Sequence, residues 1–294
     1  MPDEQTASLN VLTADIGGSH ITAGIYDSKT GFILSETLTR AEVASKGSAD
    51  EILAAWSGCL RKVLSNSSTA VAGLTLAMPG PFDYKNGISR IKGLNKYESI
   101  FGMNIREYLA GALGIEAQRI LFRNDAESTI AGEALSGAGR HNRKVMGITL
   151  GTGFGSAFAD HSITKDLNFG SDKYRDSIAD DYFSTRWFVR RYKELSGKNL
   201  SDGVRELASL SAEDNVSKQI FREFTDNLSE FLATRIETYR PDALIICGNI
   251  AKASKLFLPQ LKEKTNTIAI ELAELGENAP LIGAASIIKN YITD

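Results

Sequence analysis

Two kinds of spacing between apolar residues divide the chain into strand-like and helical segments. In the first half the strand-like segments are LNVLTAD, HITAGIYD and FILSETLTR, a helical period begins at about Asp50, and AVAGLTLAMPG is a further strand that ends in a Pro/Gly turn. Alternation or a short apolar run is typical of strands, whereas apolar returns at three and four positions are typical of helices. The order predicts an antiparallel meander followed by a strand-helix-strand crossover.

The second half repeats this plan. Its segments are the strand RILF, a helix from about Ala126, two strands around a glycine turn in VMGITLGTGFGSAFAD, helices at about 178–195 and 213–239, the strand ALIICGNI running into a helix, and a final helix APLIGAASIIKNYI. Pro241 ends the longer helix because proline cannot continue one. Alternation of this kind predicts α/β lobes built on mixed sheets.

Length and charge narrow the class of protein. A chain of 294 residues with 43% apolar composition exceeds the length at which single cores usually divide, so two lobes are expected, 1–115 with 281–294 and 116–280. The balance of 33 Lys+Arg against 36 Asp+Glu disfavours a nucleic-acid partner. No apolar run approaches the roughly twenty residues that cross a bilayer, so no membrane partner is expected. Cys59 and Cys247 are distant from each other, and without a signal sequence they indicate a reduced, cytoplasmic protein.

Two glycine turns resemble each other. LTADIGGSHITAGIYD and GITLGTGFGSAFAD both consist of strand, small-residue turn and strand, with a hydroxyl residue inside or beside the glycines. Either segment alone would be an ordinary hairpin. Glycines let main-chain amides approach a phosphate closely, and a hydroxyl adds another donor. Their recurrence in both halves predicts that a polyphosphate is held from two sides.

Together with other short motifs, these turns resemble the ROK family of sugar kinases in the actin, hexokinase and heat-shock ATPase superfamily. The motifs are DIGGSHITAGIYD, MPGPFDYKNG, GLN at 93–95, NDAES, GTGFG, DALIICGNIAKA and LIGAAS, and they cover nearly the whole chain in order. The resemblance implies a two-lobed actin-like ATPase fold, related to ribonuclease H, with mixed sheets flanked by helices and a central cleft. It also implies ATP-dependent phosphorylation of a hexose or N-acetylhexosamine hydroxyl, and a homodimer. The P-loop signature of another kinase class is absent from the sequence.

The resemblance also implies a role for particular residues. Asp125 corresponds to the catalytic base, and Asp15 to a carboxylate that holds Mg²⁺ through water. The binding residues implied are Gly17, Gly18, Ser19, Gly151, Thr152 and Gly153 for the phosphates of ATP, Gly248 and Asn249 for adenosine, and Asn95, Asn124 and Asp180 for the sugar.

Asp125 has a second interpretation that the residues alone support. Asn124 followed three residues later by Glu127 has the form of a capping box at a helix start. A carboxylate at that place also lies at the positive end of the helix dipole. The stretch is therefore compatible with a cap, with a base that accepts the proton of a sugar hydroxyl, or with both.

The chain departs from the family between 161 and 188. The family's Glu-x-Gly-His sugar motif and cysteine-rich zinc loop are replaced by HSITKDLNFGSDKYRDSIADDYFSTRWF, so no zinc is expected. Asp180 stands near the place of a sugar-binding glutamate, although an ordinary charge at a helix start is the alternative. The missing motif leaves a second function open, a catalytically impaired sugar-binding regulator. A DNA-binding regulator is disfavoured because only fourteen residues precede Asp15, and an actin-like filament protein is a third class.

Overall fold

The computed structural model describes residues 9–161 and 163–288. The strands are β1 Asn10–Ile16, β2 His20–Asp27, β3 Phe32–Ile33, β4 Thr39–Glu42, β5 Leu74–Met78, β6 Phe82–Asp83, β7 Ile88–Ser89, β8 Ile120–Asn124, β9 Lys144–Leu150, β10 Phe154–Asp160, β11 Ile163–Asp166, β12 Lys173–Tyr174, β13 Ser177–Ile178, β14 Ala243–Cys247 and β15 Ala269–Leu272. The α-helices are α1 Ala49–Ser65, α2 Ile105–Leu113, α3 Asp125–Ser136, α4 Asp180–Phe183, α5 Thr185–Ser196, α6 Gly203–Leu210, α7 Asn215–Tyr239, α8 Leu258–Lys264 and α9 Ala279–Ala285.

The chain forms two compact units, Met1–Ser136 with Leu275–Asp294, and Gly137–Glu274. The sheet of the first unit has the order β3-β2-β1-β5-β8, and β4 also pairs with β2. β1 and β2 are antiparallel, whereas β5 lies parallel to both β1 and β8. Helix α1 connects β4 to β5 and buries Trp56 and Leu60 against the sheet. The predicted crossover is confirmed, and so is the antiparallel meander, except that the third predicted strand, 32–40, is divided into β3 and β4 by a 3₁₀ turn at Ser35–Thr37.

The first unit extends further along the chain than the lobe expected from the sequence. β8 pairs with β5, so the segment 120–136 belongs with the first sheet and not with the second unit. Helix α9 packs against α3 so closely that a Cβ at Gly132 would lie 2.1 Å from the carbonyl oxygen of Ala279. The buried Arg123 adds a hydrogen bond of 2.8 Å from its Nη1 to the carbonyl oxygen of Gly283. These contacts hold the start of α3 in a fixed place.

The second unit is built on the sheet β11-β10-β9-β14-β15. β9 and β10 are antiparallel from Lys144↔Asp160 to Leu150↔Phe154, and β14 runs parallel to both β9 and β15. Helices α5 and α7 bring aromatic residues to its core, where the rings of Phe188 and Phe224 lie 4.8 Å apart. The α/β prediction with mixed sheets is confirmed.

Three predicted helices differ in detail. The segment expected as one helix at 178–195 is divided into α4 and α5, because Ser184 is extended at φ −111° and ψ 166°. The segment after Gly248 forms a 3₁₀-helix, Asn249–Leu256, interrupted at Ala253. Helix α9 ends at Ala285 and continues as a 3₁₀-helix to Ile288, and the remainder of the predicted final helix lies outside the described residues. Across the described part of the chain, none of the helices has both the length and the apolar surface to cross a bilayer.

Candidate active site

The first glycine turn connects β1 and β2 in the first unit. The amide of Gly17 donates a 2.9 Å hydrogen bond to the carbonyl oxygen of His20, which closes the turn. Gly18 and Ser19 are exposed, and a Cβ at Gly18 would meet nothing within 4 Å. The turn therefore presents main-chain and hydroxyl groups to solvent, which suits an oxyanion ligand.

Asp15 lies on β1 shortly before this turn. Burial, together with the negative charges of Asp125 and Glu277, raises the pKa of Asp15 to about 7, while Arg40 opposes the shift. Arg40 lies across β2 from Asp15, since both residues pair in register with Thr22. A partly buried carboxyl group beside two other carboxylates is a place where a bound cation would lower the electrostatic cost of ionisation.

The junction between β8 and α3 shows which residue caps the helix. Asn124 is the N-cap, because its Oδ1 accepts a 3.0 Å hydrogen bond from the amide of Glu127. Its Nδ2 donates to the hydroxyl of Tyr84 at 3.1 Å, which fixes the orientation of the amide. Asp125 is the first residue of α3, and its Oδ1 accepts from the adjacent amide of Ala126 at 2.9 Å. The capping bond to the third helical residue comes from Asn124, so a cap alone does not account for Asp125.

The loop predicted to contact the sugar is anchored to the first glycine turn. Asn95 is exposed and has a left-handed backbone, φ +56°, and its amide donates to Glu98 Oε1 at 2.9 Å. Two residues later Tyr97 is fully buried, and its hydroxyl donates to the carbonyl oxygen of Gly17 at 2.5 Å. The first unit thus places Asn95 on a loop that is attached to the predicted phosphate turn.

The second glycine turn connects β9 and β10 in the second unit. The amide of Gly151 donates to the carbonyl oxygen of Gly153 at 3.1 Å, and Thr152 and Gly153 are exposed. Asp180, at the start of α4, accepts a 2.6 Å hydrogen bond from the amide of Phe154 and forms an ion pair with Arg186. These contacts place the Asp180 carboxylate directly behind the turn.

Gly248 follows β14 at the neighbouring strand end. Its φ of +93° favours glycine, and a Cβ there would lie 2.3 Å from the carbonyl oxygen of Leu150. Because Cys247 pairs in register with Thr149, Gly248 and the exposed Asn249 lie at the same edge of the sheet as the second glycine turn. The segments predicted for adenosine and for phosphate are therefore neighbours within this unit.

Sequence reasoning missed three residues of the first unit's site. Tyr97 supports the Gly17 turn, and Arg40 forms an exposed ion pair of 3.0 Å with Glu277 near Asp15. The pairing of Arg40 with Glu277 joins residues 237 positions apart, so no local pattern reveals it. A signal existed only for Tyr97, as an aromatic residue inside an otherwise polar loop.

Metal ligands are sparse in the described ranges. No group of three or more His, Cys, Asp or Glu residues within 9–161 and 163–288 is arranged to hold a metal ion. An ion held by phosphates and water beside a single carboxylate would not require such a group.

Comparison with known proteins places these observations in a family. The sequence profile of the ROK family matches residues 11–163 and 178–291. A glucokinase from Thermotoga maritima is 24% identical over 322 residues, which cover 97% of this chain and 98% of the glucokinase. The ROK hexokinase structure from Thermus thermophilus has a TM-score of 0.81 at 19% identity and covers 97% of this chain and 100% of its own. A ROK family glucokinase from Streptomyces griseus, in complex with glucose and AMPPNP, has a TM-score of 0.74 at 22% identity, with 95% and 98% covered. These similarities confirm the actin-like ATPase fold.

Proposed function

The chain belongs to the ROK family, and from that premise we propose that it transfers the terminal phosphoryl group of ATP to a hydroxyl of a hexose or N-acetylhexosamine. The observation that carries the proposal is the position of Asp125 at the start of α3. Its negative charge acts on Asp15, and the capping hydrogen bond of the helix is made by Asn124 instead. The relatives named above, a glucokinase and a hexokinase among them, support the same class of reaction.

Asp125 acts as the general base in this proposal. A carboxylate oxygen of Asp125 accepts the proton of the attacking sugar hydroxyl. At the same time the sugar oxygen bonds to the terminal phosphorus of ATP, and the bond from that phosphorus to the leaving diphosphate breaks. The helix N-terminus favours a negative charge at this place. Binding and alignment supply most of the acceleration, since phosphoryl transfer needs in-line geometry and charge neutralisation more than covalent help.

ATP and Mg²⁺ complete the proposed site. The proposed phosphate-binding residues are Gly17, Gly18 and Ser19 in the first unit and Gly151, Thr152 and Gly153 in the second, and Gly248 with Asn249 is proposed to contact adenosine. Asp15 fits a Mg²⁺ ion held through water, because the burial and neighbouring carboxylates that raise its pKa favour a bound cation. When bound, Mg²⁺ neutralises negative charge on the phosphates.

The sugar is held by Asn95 and Asn124 in this proposal. Asn95 is exposed on its anchored loop, and the Asn124 amide is oriented by two hydrogen bonds. Asp180 remains a predicted sugar ligand, although its bond to the amide of Phe154 also suits it to supporting the second turn.

We further propose a homodimer in the cytoplasm, for which light scattering of the purified protein and fractionation of cells are the direct measurements.

The experiment that tests the function is a panel of hexoses and N-acetylhexosamines with ATP and Mg²⁺, monitored by ADP release. We expect saturable turnover with at least one sugar and none after chelation of the metal. Absence of ADP release with every sugar, from protein that melts cooperatively, would overturn the kinase proposal.

A sugar-binding regulator is the second candidate function. It is favoured by the absence of the Glu-x-Gly-His motif. The segment that replaces this motif is attached to α7 by ion pairs of Asp172 with Arg235 at 2.6 Å and of Arg175 with Glu230 at 3.0 Å. Calorimetry separates the two candidates. A regulator would bind sugar while leaving ATP intact, whereas the kinase would release heat continuously when both substrates are present.

A further inference from the structure

A cavity of about 520 Å³ lies in the second unit, beside the β12-β13 hairpin and helices α5 and α7. Its lining includes two nearly buried side chains, Trp187 at 4% exposure and Asn227 at 6%. A volume of this size is typical of small-molecule sites. None of the residues assigned above to ATP, sugar, metal or catalysis lines this cavity.

The two nearly buried residues have polar groups that the described chain does not use. Tyr174 donates to the main-chain oxygen of Asn227 at 3.2 Å, but the Asn227 side-chain amide makes no hydrogen bond to any residue in 9–161 or 163–288. The indole N–H of Trp187 is likewise without an acceptor in those ranges, while its ring packs edge-on against Phe188 at 5.1 Å. The amide and the indole N–H belong to residues that line the cavity, so their donors and acceptor are available to a ligand there.

The charges around the cavity favour a neutral ligand over a simple ion. Three cationic residues, Arg175, Arg190 and Arg191, are balanced by three anionic ones, Asp176, Glu194 and Glu223. The closest of the pairs joins Arg191 Nε to Glu223 Oε2 at 2.7 Å, whereas Arg190 and Glu194 are 3.7 Å apart. Equal numbers of both signs give no net attraction for an anion or a cation, but they offer many donors and acceptors close together.

We propose that this cavity is a second, non-catalytic site for a neutral saccharide. Sugar hydroxyls both donate and accept, so they match alternating guanidinium and carboxylate groups better than a charged ligand does. The Trp187 indole provides an aromatic surface and a donor, and the Asn227 amide provides a donor and an acceptor. The site is independent of the proposed kinase function, because binding here requires neither ATP nor Asp125.

The test uses the full chain labelled with 5-fluorotryptophan, which gives two resonances because the protein has two tryptophans. Trp56 is fully buried in the first unit, where its ring packs against Tyr97 at a centroid distance of 5.3 Å, so its resonance reports separately on the proposed substrate loop. Titration with glucose, N-acetylglucosamine and sucrose should shift the Trp187 resonance saturably, with a concentration dependence that differs from any change at Trp56. Asn227→Leu, which keeps a branched side chain but removes the amide, should weaken this binding at least about tenfold.

Three controls decide the interpretation. Asn95→Ala, in the proposed substrate loop, should leave the Trp187 titration unchanged, and Asn227→Leu should leave turnover unchanged. If Asn227→Leu fails to fold, Glu194→Gln at the exposed rim takes its place and should also weaken binding. The proposal is overturned if no saccharide shifts Trp187, if inorganic phosphate or sulfate shifts it while the sugars do not, or if Asn95→Ala abolishes the shift.

Discussion

The hydroxyl of Tyr97 donates a 2.5 Å hydrogen bond to the carbonyl oxygen of Gly17, across 80 positions of the chain. This bond joins the loop that contains Asn95 to the first glycine turn, so the predicted sugar and phosphate contacts of the first unit share one support. The Tyr97 ring is packed against Trp56 with a centroid distance of 5.3 Å, which holds the hydroxyl in place. Burial raises the pKa of Tyr97 to about 12, so the hydroxyl remains a donor at physiological pH.

Tyr97→Phe should therefore affect both substrates. Loss of the hydrogen bond is expected to lower the free energy of unfolding by about 1 kcal/mol. The KM values for ATP and sugar should rise together by several-fold, because the turn and the loop lose a common support. The matched control is Tyr108→Phe on α2, whose side chain is 36% exposed. Unchanged kinetics in Tyr97→Phe would show that this bond does not position the site.

Gly248→Ala tests the close approach between β14 and β9. The added Cβ would lie 2.3 Å from the carbonyl oxygen of Leu150 at a φ of +93°, so the main chain has to shift. We expect a loss of about 2 kcal/mol or more in chemical denaturation, together with weaker nucleotide binding. Gly111→Ala is the control, because Gly111 lies in α2 with nothing near its Cβ position. That variant should be as stable as wild type or up to about 1 kcal/mol more stable.

Features that depend on neighbouring residues could be predicted from the sequence, whereas features that depend on contacts between distant residues could not. The two strand-turn-strand segments and the Asn124-Asp125 junction were predictable because each depends on neighbouring residues and their turn chemistry. The unit boundary was not, since the pairing of β5 with β8 is non-local. The 3₁₀-helix after Gly248 was also missed, because an apolar spacing does not distinguish it from an α-helix over so few residues.

The reactivity of Cys59 tests whether the hydrophobic core of the first unit protects this thiol from solvent. Burial raises the pKa of the Cys59 thiol to about 11, which leaves little thiolate near pH 8. This raised value stabilises the fold below the thiol's ordinary pKa of 9.0, and that contribution is lost as the pH rises through about 11. Labelling of Cys59 with a disulfide reagent at pH 8 should follow global unfolding in denaturant. Rapid labelling of the native protein would contradict its burial in the first core.

Asp180 allows its two possible roles to be separated. Asp180→Ala removes the acceptor for the amide of Phe154, whereas Asp180→Asn keeps an oxygen in that place. If the carboxylate supports the second turn, Asp180→Ala should raise the KM for ATP by about tenfold, and Asp180→Asn should have a smaller effect. Steady-state kinetics with each substrate varied provides the comparison. A rise in the KM for sugar alone, in both variants, would instead assign Asp180 to the sugar.

Asp125→Asn separates the chemical role of the carboxylate from its structural one. The capping bond at the start of α3 belongs to Asn124, and asparagine keeps an oxygen that can accept from the amide of Ala126. The free energy of unfolding should therefore change by less than about 1 kcal/mol. An amide cannot take the proton of the sugar hydroxyl, so kcat should fall by about 10²- to 10⁴-fold while nucleotide affinity stays close to that of wild type. Asp50→Asn is the matched control, since it removes a carboxylate from the first turn of α1. Its turnover should equal that of wild type. Wild-type turnover in Asp125→Asn would show that Asp125 is not the general base, because loss of its carboxylate would then have no more effect than loss of the Asp50 carboxylate.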